Sequence, residues 1–249
     1  RHTRSLCDWS SDVCSSDLAL EALWARHLTT KEPLQYIVGL CPWRDLELLV
    51  APGVLIPRQE TELLIELACA MAEGPALWAD LGTGSGCLAV ALALAFPTAQ
   101  GLAVDISDQA LDQAAENVRR HGVQERVALH RGSWWEPLRP WWGRLDLVLA
   151  NPPYIPSSVL AGLDPVVRDH EPPLALDGGA DGLTALRAVL AGAPLALAPG
   201  GRLLMEHHHD QSHEVVQLLH AAGLSDIRVH RDLEGIARFA SARRAEGGP

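Results

Sequence analysis

Three features of the sequence predict an α/β fold with a mostly parallel sheet. From Ala76 onward short apolar runs alternate with helical stretches, the pattern that strand–helix–strand units produce. A glycine-rich segment, Gly82 to Gly86, joins the first such run to the first such helix. The last two runs follow each other through Asp232-Leu233-Glu234-Gly235 with no helix between them, which suits an antiparallel hairpin closing one edge of the sheet.

In chain order, apolar residues at helical spacing (Leu20, Leu23, Trp24, Leu28) give the end of a helix over 18–27. Between Pro33 and Val54, Tyr36-Ile37-Val38 and Leu46 to Val50 are short apolar runs punctuated by Gly39, Pro42 and Pro52, a β-hairpin or connecting arm. An amphipathic helix follows at 61–72. Strands are expected at 76–81, 100–106, 127–130, 145–150, 202–206, 227–230 and 236–241. The helices between them are expected at 87–95, 108–121, 183–197 and 210–222.

The 249 residues suffice for one large domain, or one domain with a small appendage. Hydrophobic residues at 48% against charged residues at 20% exclude a disordered or fibrous chain. The net charge of −11, from 31 acidic and 20 basic residues, argues against a protein that holds duplex DNA by neutralising many phosphates. No apolar stretch is long enough to span a membrane, and the chain lacks a charged start followed by an apolar block. A cytoplasmic protein with no membrane partner is the expectation.

Residues 1–18 differ from the rest, being dense in Ser, Asp and Cys without apolar periodicity. The stretch from Cys7 to Leu18 resembles the conceptual translation of a sequencing adapter, so residues 1–18 are read as non-native and set aside from the fold. Without Cys7 and Cys14 the cysteines are Cys41, Cys69 and Cys87, too widely spaced for a zinc pattern or a disulfide framework.

Asp80-Leu81-Gly82-Thr83-Gly84-Ser85-Gly86 leaves a strand and enters a helix. Glycines there let the backbone approach a ligand closely, and Asp105, nineteen residues past Gly86, is placed to accept both hydroxyls of a ribose. The dinucleotide fingerprint would need a small residue where Cys87 stands. An acidic residue at the strand end, Asp80, suits the ammonium of S-adenosylmethionine and would repel a pyrophosphate.

After the strand at 145–150 comes Asn151-Pro152-Pro153-Tyr154. The prolines end strand pairing and stiffen the turn, and the end of a sheet strand near the switch point faces the ligand crevice. These residues suit methylation of a planar, weakly nucleophilic NH2 group. Loss of amide conjugation costs on the order of 18–20 kcal/mol. Accepting both N–H bonds, through the Asn151 side-chain oxygen and the Pro152 carbonyl, turns the lone pair toward the methyl donor. Hydrogen bonds to a group gaining charge are worth about 1.5–3 kcal/mol each, and alignment supplies about 7–11 kcal/mol more. Tyr154 would stack on the flat group.

Asp80 to Gly86, Val104 to Ser107 and Asn151 to Tyr154 together resemble class I S-adenosylmethionine-dependent methyltransferases acting on amide or exocyclic NH2 groups. Three further segments are more restrictive: Glu32 to Ile37, Leu55 to Glu62 and Glu171 to Gly179. With them the chain is similar to the release-factor glutamine N5-methyltransferases, from about Pro33 to Arg243. The resemblance implies a seven-stranded sheet and methylation of the glutamine in the Gly-Gly-Gln loop of peptide chain release factors. It implies that Gly82, Thr83, Gly84, Ser85 and Gly86 hold the methionine end of the donor, Asp105 its ribose and Trp134 its adenine. Asn151, Pro152, Pro153 and Tyr154 would hold the glutamine, with Arg58 and Glu60 beside the substrate entrance. It divides the chain into a remnant of an N-terminal docking domain (19–32), a hairpin connector (33–57), a catalytic domain (58–243) and a tail (244–249).

The chain departs from the family pattern at Ser133, where an acidic residue is usual, and at His207, His208 and His209, which replace an apolar residue and glycine. On a strand only His207 and His209 would share a face, so exposed or crevice-edge histidines and no metal are expected. Trp134, Trp135, Trp141 and Trp142 suit packing under a loop, and Thr61 or Glu60 could cap the following helix. Three alternatives share these residues: an adenine-N6 nucleic-acid methyltransferase, another protein-glutamine methyltransferase such as a ribosomal-protein one, and a remnant that binds the donor without recruiting a substrate. The acidic balance and the lack of room for a target-recognition region count against the first, so no direct nucleic-acid partner is expected.

Overall fold

The computed structural model describes residues 8–72 and 74–247, with side chains from Leu18 onward; expectations for residues 1–7 and for the last two residues lie outside the described part. A single helix, α1 (Asp8–Thr30), runs through the junction expected at residue 18. No glycine or proline interrupts that stretch, so nothing in it breaks a helix.

The Tyr36-Ile37-Val38 run is a correction to the sequence reading: it lies in the short helix α2 (Leu34–Val38), not in a strand. Pro33 enters with φ −55°, and Gly39, left-handed at φ 76°, ends the turn by donating its N–H to the Gln35 carbonyl. The Tyr36 hydroxyl donates to the Val54 carbonyl at 2.5 Å. The expected hairpin follows as β1 (Leu40–Trp43) and β2 (Leu46–Leu49), antiparallel, and then α3 (Glu62–Met71).

The main sheet contains β3 (Leu77–Leu81), β4 (Gln100–Asp105), β5 (Val127–Arg131), β6 (Leu145–Ala150), β7 (Leu197–Glu206), β8 (Ser225–Arg231) and β9 (Ala237–Arg243) in the spatial order β5-β4-β3-β6-β7-β9-β8. The first five are parallel; β9 runs antiparallel to β7 and to β8, as the short turn after Arg231 demands. Strand β7 starts five residues before the expected 202, because Leu197 pairs with Leu145 and the chain then bulges before Arg202 pairs with Leu147. The connecting helices are α4 (Cys87–Ala95), α5 (Asp108–Arg120), α6 (Pro165–Arg168), α7 (Thr184–Ala196) and α8 (Ser212–Ala221).

Both faces of the sheet are covered. Leu64 of α3, Leu88 and Val90 of α4 and Val118 of α5 pack in one core with Trp78, Leu147 and Leu204. Leu186 and Val189 of α7 and Val215 and Leu219 of α8 pack in the other with Leu81, Val148 and Met205. Chain order reverses beside β3, whose neighbours are β4 and β6, so the carboxyl ends of β3 and β6 border the crevice of a doubly wound sheet.

Two polar anchors fix the loops at that end. Asn117 on α5, fully buried, accepts from the Leu49 N–H at 2.7 Å and donates to the carbonyls of Leu49 (2.9 Å) and Ser85 (2.8 Å), joining the hairpin to the glycine loop. Glu206 at the end of β7, also buried, accepts from the Thr61 hydroxyl at 2.7 Å and the Tyr154 hydroxyl at 3.0 Å. Burial pushes its carboxyl up to about 7, against the opposing pull of those two hydrogen bonds.

Asn117→Ala leaves three backbone groups to find new partners and should lower unfolding free energy by about 2–3 kcal/mol, read from urea denaturation. Glu206→Gln tests the buried carboxylate. Because the folded protein holds the proton more tightly than the unfolded chain, the carboxylate penalises the folded state increasingly as pH rises from about 4.5 to about 7. Across that window the stability of the native protein relative to Glu206→Gln should fall by on the order of 3 kcal/mol, followed by chemical denaturation at several pH values. Parallel pH curves for the two proteins would contradict it.

Candidate functional site

The crevice holds a cavity of about 640 Å³, within the range of small-molecule sites. Gly82, Thr83, Gly84 and Ser85 form one wall, Asp105, Ile106 and Ser107 the next, and Trp134, Asn151, Pro153, Arg58 and Thr61 close around them. Gly53, Val54 and Leu55 from the connector also border it.

The glycines are conformationally required. Gly82, Gly84 and Gly86 have φ of 75°, 55° and 81°, which side chains rarely adopt. A Cβ on Gly86 would also lie 3.1 Å from backbone and side-chain atoms of Ala114, so Gly86 shapes the loop by packing α4 on α5 and does not line the cavity. Gly82 lies beneath the Trp134 ring, which would sit 3.4 Å from a Cβ placed there. Trp134 itself has φ 48°, a strained value that turns its ring into the cavity. Of the other expected packing residues, Trp135 is buried and donates its indole N–H to the Val189 carbonyl at 2.8 Å.

Asp105 borders the cavity with each carboxylate oxygen anchored once: Oδ2 accepts from the Gly84 N–H and Oδ1 from the Ser107 N–H, both at 2.9 Å. Burial raises its carboxyl above the ordinary value, opposed by these N–H donors. Each oxygen keeps a lone pair for a hydroxyl. Asp80, expected to suit an ammonium directly or through water, is set back from the cavity. It is fully buried beneath the loop and outside the cavity walls, with Oδ2 accepting from the Thr83 hydroxyl at 2.6 Å and Oδ1 without a partner among the described residues. Burial pushes its carboxyl up to about 7, with the Thr83 hydroxyl pulling down and Asp105 adding to the rise. The orphaned oxygen, the open glycine backbone and the anchored Asp105 fit a ligand carrying a cation at one end and a ribose at the other.

The segment after β6 divides its residues. Asn151 and Pro153 line the cavity, Pro152 is buried, and Tyr154 turns its hydroxyl to Glu206. Asn151 Nδ2 donates to Thr61 Oγ1 at 3.0 Å, and among the described residues nothing donates to Asn151 Oδ1 or to the Pro152 carbonyl. Both are therefore acceptors without a donor among the described residues, and of the two residues Asn151 lines the cavity. Thr61 makes no capping bond to α3; its hydroxyl is committed to Glu206.

The loop is strapped from outside. Ile155 donates to the Leu176 carbonyl at 3.0 Å and accepts from the Gly178 N–H at 2.8 Å, tying it to the 171–179 segment. Gln211 Nε2 donates to the carbonyls of Tyr154 (3.0 Å) and Gly182 (3.2 Å). Arg58 pairs at 2.7 Å with the buried Glu171. Glu60 is exposed and outside the walls, so of the two entrance residues only Arg58 reaches the cavity. Thr61, Glu206 and Gln211 carry no motif of their own; the one available signal was Glu206, an acid ending an apolar strand.

The histidines follow the end of β7 at Glu206, so strand alternation does not govern them. Where exposed or crevice-edge histidines were expected, His207 is fully buried with Nδ1 2.8 Å from the His208 carbonyl, and burial lowers its pKa. The His208 and His209 rings lie 4.1 Å apart.

The chain is similar to methyltransferases in sequence and in fold. The methyltransferase small domain family matches residues 59–162. The chain is 52% identical over 235 residues to the release factor glutamine methyltransferase of Prochlorococcus marinus, covering 92% of this chain and 80% of that one. It is 46% identical over 229 residues to the one from Synechocystis sp., covering 88% and 76%. Among solved structures, the ribosomal protein L11 methylase from Lactobacillus delbrueckii superposes with a TM-score of 0.54 at 23% identity, covering 79% of this chain and 84% of that one. A SAM-dependent O-methyltransferase from Thermotoga maritima gives 0.55 at 15% identity, covering 79% and 68%. The structural matches share the fold, the seven-stranded sheet expected of class I methyltransferases, and the sequence matches specify the lineage: the chain belongs to the release factor glutamine methyltransferase family.

Proposed function

We propose that this enzyme transfers a methyl group from S-adenosylmethionine to the side-chain amide nitrogen of the glutamine in the Gly-Gly-Gln motif of peptide chain release factors. The observation that supports this reading most directly is the Asn151 carboxamide, which lines the same cavity as the glycine loop and Asp105 and whose Oδ1 has no donor among the described residues.

The donor supplies an electrophilic methyl group on a sulfonium. Gly82 to Ser85 would carry its methionine end, Asp105 its ribose hydroxyls, and Trp134 with Ile106 the faces of its adenine. Asp80 and Gly86 support the loop from below, through Thr83 and through the packing of α4 on α5. Asn151 Oδ1 and the Pro152 carbonyl accept the two N–H bonds of the glutamine amide and turn its lone pair to the methyl group. As nitrogen gains charge both bonds strengthen, so they favour the transition state over the bound substrate. The methylated nitrogen is acidic enough to release its proton to water without a dedicated base. Tyr154 closes the amide pocket, its hydroxyl held by Glu206. Arg58, fixed by Glu171, borders the entrance.

No described helix is long and apolar enough to cross a membrane. A release-factor substrate supports a cytoplasmic location. Residues 58–243 form the catalytic unit in this reading, with 33–57 as the connector and 19–32 belonging to the substrate-docking element.

The test is methyl transfer from labelled S-adenosylmethionine with a purified release factor and adenine-containing DNA offered together. Label should map to the Gly-Gly-Gln glutamine; label on DNA alone would overturn the substrate assignment. Asn151→Ala should keep donor affinity and lower kcat by about 10- to 100-fold, the equivalent of one hydrogen bond to a charged group. Asp105→Ala should weaken donor binding by about tenfold or more in calorimetry, and unchanged affinity would remove the ribose role.

A further inference from the structure

The Asn151 carboxamide has two nearly isosteric orientations, exchanging Oδ1 and Nδ2. Only the one that presents oxygen to the cavity can accept an N–H bond from a substrate amide. The other presents an NH2 donor to a group that is itself a donor. Something must select between them, and the backbone after β6 does not, since it leaves the terminal side-chain torsion free.

The selecting contact comes from outside the loop. Nδ2 of Asn151 lies 3.0 Å from Thr61 Oγ1. Thr61 is buried, and its single hydroxyl hydrogen is directed at Glu206 Oε2 at 2.7 Å. The second Glu206 oxygen takes the Tyr154 hydroxyl at 3.0 Å. A hydroxyl has one hydrogen and two lone pairs. With the hydrogen committed to the carboxylate, Thr61 Oγ1 offers Asn151 lone pairs alone. A flipped Asn151 would set Oδ1 against those lone pairs at hydrogen-bond distance, in a part-buried site where an unmade polar contact is costly.

We propose that Thr61, oriented by Glu206, is a positioning residue that locks the Asn151 carboxamide with its oxygen toward the substrate amide. This rests on the reading of Asn151 as the amide acceptor and adds the means by which its polarity is set. The hydrogen direction runs from Asn151 through Thr61 to Glu206 across three elements: the loop after β6, the start of α3 and the end of β7. It also explains why Thr61, at the N-cap position of α3, makes no capping bond there.

Thr61→Val removes the acceptor at nearly constant volume, and Thr61→Ser retains it. With a Gly-Gly-Gln peptide or release factor as substrate, Thr61→Val should lower kcat by on the order of 10- to 100-fold, with donor affinity unchanged and KM changed far less. Thr61→Ser should restore kcat to within a few-fold. In an Asn151→Ala background Thr61→Val should cost little more, because the residue it acts through is gone. A full additional loss there would mark a merely structural role and overturn the proposal. A second readout is independent of substrate. The Asn151 side-chain NH2 signals, assigned by their loss in Asn151→Ala, should shift and exchange faster with water in Thr61→Val and stay near their native positions in Thr61→Ser. Unmoved signals in folded Thr61→Val would overturn the proposal even if the release factor proved the wrong substrate. Native NMR behaviour of this kind with no label on glutamine would instead refute the substrate reading alone.

Discussion

A carboxylate buried at the end of an apolar strand must find hydrogen-bond donors within the protein. Glu206 is that group, and the arrangement of the site follows from how it is satisfied. One oxygen takes Thr61, which brings the start of α3 over the sheet end; the other takes Tyr154, which draws in the loop after β6. Those two segments are also two walls of the cavity. The stability of the sheet end and the shape of the acceptor pocket are therefore one interaction viewed from opposite sides.

Much of the architecture was legible because it is local. Strand and helix periods located every element of the main sheet, and β6 and α4 fall on the residues expected of them. The glycine loop and Asn151 announce themselves because their chemistry requires particular residues in a row. What escaped is what depends on distant partners. Thr61 and Glu206 are 145 residues apart and Asn151 and Thr61 are 90 apart, so no spacing rule connects them. Tyr36-Ile37-Val38 reads as a strand by composition, yet Pro33 and Gly39 bracket it as one helical turn. His207 looked like a surface histidine because a run of histidines carries no sign of where the strand ends.

The two aspartates of the donor side show how one signature separates into two roles. Sequence places both at strand ends facing the crevice, and both were expected to meet the ligand. Asp105 does border the cavity, because Gly84 and Ser107 hold its oxygens at the rim. Asp80 is drawn under the loop by Thr83. It ties the turn together from beneath, with Oδ1 unpaired among the described residues.

In the proposed reaction the order β4-β3-β6 makes methyl transfer a matter of adjacency: the loop assigned to the donor follows β3 and the loop assigned to the amide follows β6, neighbouring strands paired from Trp78 with Leu147 to Leu81 with Ala150. Adjacency alone fixes position to within the play of a loop, whereas transfer to an amide nitrogen requires its lone pair to be aimed. Three restraints on the loop after β6 come from three different elements. Leu176 and Gly178 pair with Ile155, Gln211 ahead of α8 holds the Tyr154 carbonyl, and Thr61 holds the Asn151 carboxamide. None of these three restraints belongs to the Asn-Pro-Pro-Tyr segment itself. In this reading the motif supplies the acceptors, and elements distant from it in sequence hold them in place.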